Sequence, residues 1–117
     1  MKLAYVAGPY RSDSESGVVA NIRRAEDVAI GLWQMGYAVI CPHKNTALFG
    51  GLCPDDTWLR GDLEMLLRCD LIVLTPDWEK SSGARAEREM AIAGNIPVAE
   101  WNTQQGWLRD HANGKAA

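Results

Sequence analysis

Short apolar runs alternate along this chain with longer stretches of helical period. Leu3-Ala-Tyr-Val-Ala7 is such a run, stopped by Gly8-Pro9, and reads as a strand. A polar loop is expected over Ser12–Gly17. A helix follows from about Val18 to Met35, with Ile22, Ala25, Val28, Ala29, Leu32 and Trp33 inward and Gly36 just past its end. Tyr37-Ala-Val-Ile-Cys41 gives a second strand, closed by Pro42. Residues 42–54 are rich in Gly, Pro, Asn and Thr and predict a long loop, a kind of segment that is usually functional or mobile. Asp55 or Asp56 is placed to cap a helix whose stripe is Trp58, Leu59, Leu63, Leu66 and Leu67. Leu71-Ile-Val-Leu74 lacks polar alternation, as suits a strand covered on both faces. Ser81-Ser82-Gly83 opens a helix that stops at Gly94. Ile96-Pro-Val-Ala99 gives a fourth strand, Thr103–His111 a last short helix, and 113–117 a frayed tail.

This alternation predicts an α/β domain over residues 1–112, a parallel sheet of four to five strands with helices on both faces. Right-handed crossovers narrow it to a doubly wound sheet, flavodoxin-like or Rossmann-like. Ligands of such sheets bind beyond the carboxyl ends of the strands. That gathers Gly8-Pro9-Tyr10-Arg11, the loop after Cys41 and the Lys80-Ser81-Ser82-Gly83 turn around one cleft.

Composition works mainly by exclusion. The 117 residues are 47% hydrophobic and 23% charged, within the ordinary globular range. A net charge of −3 argues against polymeric nucleic acid and anionic membranes as partners. No apolar run approaches a membrane span and no signal-peptide pattern opens the chain, so a cytoplasmic protein is expected. Cys41, Cys53 and Cys69 lack C-x-x-C spacing and read as reduced thiols. Zinc would need Cys41, His43 and Cys53 completed by His111 in the tail, so neither metal nor cofactor is expected.

The candidate chemistry centres on Glu87. It shares a three-four spaced stripe with Gly83, Ala84, Met90, Ala91 and Gly94, whereas Arg85, Arg88 and Glu89 lie opposite, with Arg85 and Glu89 spaced to pair. Asp62 lies four residues after Trp58 and four before Leu66, either paired with Arg60 or Arg68 or reaching the cleft. Two acids near a sugar suit glycosidic cleavage, whose transition state is oxocarbenium-like. Ser81, Ser82 and Gly83 either cap their helix or offer its N-terminus to an anion, with Lys80 and Arg85 adding charge. Tyr10 and Arg11 are either turn residues or ligand contacts, Tyr10 orienting the nucleophile and Arg11 meeting a phosphate. His43 and Asn45 either line the cleft or are simply loop residues. Trp33 reads as core, and Trp78 as either a stacking platform or packing. Neither a P-loop nor a G-x-G-x-x-G motif is present.

Asp62-Leu-Glu-Met-Leu-Leu-Arg-Cys-Asp-Leu-Ile-Val-Leu, then Ser81-x-Gly83-x-x-x-Glu87-x-x-x-Ala91, resembles the nucleoside 2-deoxyribosyltransferase superfamily, as does Tyr5-Val-Ala-Gly-Pro-Tyr-Arg11. The run Trp78-Glu-Lys-Ser-Ser-Gly-Ala-Arg-Ala-Glu87 is most similar to a small uncharacterised branch common in phages and prophages. The resemblance implies base-swapping transferases or hydrolases of 2′-deoxynucleoside 5′-monophosphates. It implies Glu87 as nucleophile, Asp62 as a sugar contact supporting the leaving base, and a homo-oligomer. Serine six residues before the glutamate, here Ser81, is the monophosphate hydrolases' residue there, and it tolerates a phosphate that aspartate would repel. Arg85 departs from the usual small or apolar residue and either crowds the sugar or contacts phosphate.

Two functions follow. The first is an N-glycosidase or deoxyribosyltransferase-like enzyme acting on a nucleoside or its 5′-monophosphate through Glu87. The second is a non-catalytic nucleotide sensor using the same cleft, with Arg85 pairing with Glu87 and quenching it.

Overall fold

In the computed structural model, which describes residues 1–47 and 49–113, four parallel strands form one sheet in the order β2-β1-β3-β4. The strands are β1 (Leu3–Ala7), β2 (Ala38–Ile40), β3 (Leu71–Leu74) and β4 (Val98–Glu100). β1 and β3 pair from Ala4↔Leu71 to Ala7↔Leu74, so their carboxyl ends finish level. The chain runs from β1 to β2 on one side and returns to β3 on the other. The crevice of this doubly wound sheet therefore opens between Gly8 and Thr75. At that point the strands approach so closely that a Cβ on Gly8 would sit 2.2 Å from Thr75 Oγ1.

The period of two along β1 divides the core. Ala4 and Val6 join Val28, Leu32, Tyr37 and Leu108 on the face covered by α1 (Glu15–Met35) and α5 (Gln105–Ala112). Tyr5 and Ala7 join Leu66, Ile72, Ala84 and Ala91 on the face covered by α3 (Asp55–Leu66) and α4 (Ser82–Ala93). Among the described residues, no helix is long and apolar enough to cross a membrane.

Boundaries move where local chemistry overrides periodicity. α1 starts at Glu15 rather than Val18, because the Ser14 side chain accepts the Gly17 N–H as an N-cap. It ends as expected at Gly36, whose φ of 106° lies in the left-handed region. The segment 42–54 is not wholly loop: Pro42 opens the short helix α2 (Pro42–Asn45), its fixed φ and missing N–H suiting a first helical turn. Neither Asp55 nor Asp56 caps α3; Pro54 holds the cap position and both acids lie in the first turn. A 3₁₀ turn over Trp78–Lys80 precedes α4. β2 is shorter than expected, and β4 and α5 start two residues later than expected. Trp33 is not core: it is 55% exposed, as Leu59 is 52% exposed, because only part of each apolar stripe faces the sheet. Of the expected tail, Asn113 is described and exposed, and the rest lies outside the described residues.

Candidate active site

Beneath the crevice, on the α3–α4 face, lie a phenol and two carboxyl groups. Tyr5 projects from the middle of β1 into that layer and is fully buried. Its hydroxyl donates to Glu87 Oε2, one and a half turns into α4. Burial, followed by the Glu87 charge, pushes the Tyr5 phenol far above its ordinary range, so it stays a donor. The carboxyl of Glu87 is held up at about 7: burial raises it most, the Tyr5 hydrogen bond opposes that, and the Asp62 charge adds to it. Burial raises Asp62, on α3, to about 6. Neither arginine proposed for Asp62 reaches it, since Arg60 pairs with Asp56 at 3.0 Å and Arg68 with Glu64 at 2.7 Å.

The tyrosine on Glu87 is thus Tyr5, not Tyr10. Tyr10 is 41% exposed and packs edge-on against the His43 ring. It follows the strand directly but lies beyond the carboxyl end of β1, whereas alternation along β1 turns Tyr5 toward α4. Arg85 neither pairs with Glu89 nor quenches Glu87. It folds back to donate to the Glu79 carbonyl, while Glu89 pairs with Arg88 at 3.0 Å. Trp78 is packing: its indole N–H donates to Glu100, and Arg88 stacks 5.4 Å from its ring centroid.

Ser81 is the N-cap of α4, its hydroxyl oxygen accepting from the Ala84 N–H at 3.0 Å. Ser82 and Gly83 form the first turn of the helix. Across the crevice, Arg11 is exposed and paired with Asp55 at 2.7 Å. His43 is 6% exposed and does not line a cleft with a free edge. Its Nε2 lies 3.1 Å from the Gly8 carbonyl and 2.8 Å from that of Pro9. Two acceptors require the proton on Nε2, so Nδ1 carries a lone pair, which is buried without a partner among the described residues. Burial holds His43 below its ordinary value, in the neutral form that this arrangement needs.

Two residues escaped the sequence reading. Tyr5 resembled a strand core residue. Asn21 lies at the head of the stripe Ala25-Val28-Leu32, and an amide four residues before a buried run was the available signal. Its Nδ2 donates to the carbonyls of Tyr10 at 3.1 Å and Arg11 at 3.2 Å.

A concavity of about 430 Å³ is lined by Tyr10, Arg11, Ser12, Asp13 and Val18. Another of about 440 Å³ lies at the β2 edge around Trp33, Ile40, Lys44 and Met65. Neither is lined by Glu87 or Asp62. The acids are therefore a candidate site through the Tyr5–Glu87 contact and their raised pKa values, not through either hollow. Among the described residues, no group of three or more His, Cys, Asp or Glu could hold a metal ion. Burial raises the Cys69 thiol to about 11, leaving it a poor nucleophile.

Residues 2–100 match the model of a family described as "Domain of unknown function (DUF4406)". No curated protein matches the sequence. Among solved structures, a conserved protein from Enterococcus faecalis V583 is similar with a TM-score of 0.67 and 24% identity, over 86% of this chain and 62% of that one. A 2-deoxyribosyltransferase from the psychrotolerant bacterium Bacillus psychrosaccharolyticus is similar with a TM-score of 0.62 and 22% identity, over 84% of this chain and 70% of that one. At these identities the likeness is one of fold. The chain spans less than two thirds of the Enterococcus protein's length.

Proposed function

The chain belongs to the DUF4406 family, and from that premise we propose that it is an N-glycosidase of nucleoside 5′-monophosphates, with Glu87 as nucleophile. The observation that carries this reading is the Tyr5–Glu87 hydrogen bond beside Asp62, in a layer that holds both carboxyls above their ordinary values. Structural acids at the edge of an apolar stripe usually find an arginine or water; here Glu87 is held by a buried phenol and feels the charge of Asp62.

Ionised Glu87 attacks C1′ of the sugar through Oε1, while Tyr5 keeps Oε2 in place. The C1′–N bond breaks, and Asp62 gives its proton to the departing base. With Asp62 at about 6 and Glu87 at about 7, the reacting form is the minority one in which the pair's single proton sits on Asp62. Water then adds to C1′, loses a proton to Asp62 and releases Glu87; a second base in place of water would give transfer. The α4 N-terminus at Ser81 and Gly83 and the loop at Arg11 receive the 5′-phosphate. The resemblance to the deoxyribosyltransferase superfamily further supports a homo-oligomer as the working form. Arg85, turned to Glu79, leaves Glu87 unquenched, which speaks against a non-catalytic sensor.

The deciding experiment incubates the protein with a panel of nucleosides and their 5′-monophosphates and follows free base by chromatography. Release by the wild type and its loss in Glu87→Gln is the expected result. Full release by Glu87→Gln on every substrate that the wild type cleaves overturns the mechanism.

A further inference from the structure

The loop after β1 is held in an unusual way. Four consecutive carbonyls, those of Gly8, Pro9, Tyr10 and Arg11, are taken by two side chains, His43 from α2 and Asn21 from α1. Asn21 is itself anchored, because Arg24 donates to its Oδ1 at 2.7 Å and also reaches Asp77 Oδ2 at 3.4 Å. Asp77 accepts from Thr75 Oγ1 at 2.9 Å, which ties the loop to the end of β3 across the crevice.

The described peptide bonds are all trans, so each carbonyl opposes the N–H of the same peptide plane. With the carbonyls of Pro9, Tyr10 and Arg11 turned to the clamp, the N–H groups of Tyr10, Arg11 and Ser12 point away from it. Those three residues line the 430 Å³ concavity. Successive amides facing one way make a site for an anion. The side-chain charges nearby give it little help: Arg11 is balanced by Asp55, and Asp13 lines the same hollow. Attraction for an anion therefore falls to the backbone, and so to whatever orients it.

We infer that Asn21 and His43 are positioning residues that turn the amides of Tyr10, Arg11 and Ser12 toward the phosphate of the substrate, making the site selective for monophosphates over nucleosides. The phosphate-bearing substrate rests on the function proposed above; the orientation of the loop does not.

The test uses the full chain in two measurements. In the first, amide spectra are titrated with inorganic phosphate and with a 2′-deoxynucleoside 5′-monophosphate. Both shift the amides of Tyr10, Arg11 and Ser12 in the wild type, and Asn21→Ala weakens phosphate binding about tenfold, the scale of one charge-assisted hydrogen-bonding group. In the second, Asn21→Ala raises KM for the monophosphate about tenfold while kcat, and KM for the nucleoside, stay within about twofold. Asn21→Gln, which keeps the amide donors, recovers part of the loss. His43→Gln keeps one N–H donor and binds phosphate better than His43→Ala; should the latter fail to fold, Asn21 carries the test alone. The inference is overturned if phosphate leaves those amides unmoved, or if Asn21→Ala affects both substrates alike. Absence of base release by the wild type, with the amide shifts intact, refutes the glycosidase reading and leaves the clamp standing.

Discussion

Tyr5 and Tyr37 are both fully buried tyrosines, set on opposite faces of one sheet. Tyr37 donates to the Leu108 carbonyl at 2.6 Å, a neutral partner that titrates nowhere. Tyr5 donates to Glu87, a carboxyl that does titrate and is held up by burial with Asp62 nearby. The α1–α5 face uses its hydroxyl to close packing around a C-terminal helix. The α3–α4 face uses the same group to hold an acid in a half-dry layer. An unpaired buried carboxylate is costly, so the second face gives up stability at neutral pH.

The largest effect separating the two faces is on activity. Glu87→Gln lowers base release by about 10³-fold or more, read by chromatography. Next is Asp62→Asn, which costs on the order of 10²-fold by removing the proton donor. It also lowers the Glu87 pKa, since the Asp62 charge raises it. The wild-type profile of kcat/KM is bell-shaped, with limbs near pH 6 and 7 that belong to the pair rather than to either residue. In Asp62→Asn the acidic limb moves down.

Stability sharpens the comparison. Both carboxyls sit above their unfolded values, so their favourable contribution is complete below about pH 4 and is lost as pH rises through 6 to 7. Glu87→Gln therefore gains stability at pH 8 relative to pH 5, by at most on the order of 3 kcal/mol, measurable by urea unfolding at both pH values. Tyr37→Phe should cost about 1 kcal/mol by stranding the Leu108 carbonyl, equally at both pH values. Tyr5→Phe removes the one group lowering the Glu87 pKa, so the acidic limb of its activity profile moves up. An identical pH response in the two tyrosine variants would erase the distinction between the faces. The smallest expected change is in Arg85→Ala: within about 0.5 kcal/mol in stability, with an unmoved pH profile, because that side chain is turned to Glu79.

Much of this was legible in the chain. Leu71–Leu74 announced a doubly covered strand, Gly36 announced a helix end, and the stripe of Ala84, Glu87 and Ala91 put one acid on the inner face of its helix. The roles of Tyr10 and Arg85 were misread because proximity along the chain stood in for proximity in space. Tyr5 and Tyr10 both flank the start of the crevice in sequence. Nothing local says that α4, eighty residues on, lays a carboxyl beside the first of them. His43 was expected to line the cleft, whereas its ring is spent on two backbone carbonyls.

By itself the sequence determined the alternating elements, the parallel class of the sheet and the inward carboxyl at position 87, since periods of two and of three to four are local properties. Tertiary structure alone decided which tyrosine meets that carboxyl, which acid remains without an arginine, and which side chains clamp the loop after β1. Those pairings join residues between 10 and 82 positions apart, and only the packing of helices onto the two faces of the sheet brings them within a hydrogen bond of each other.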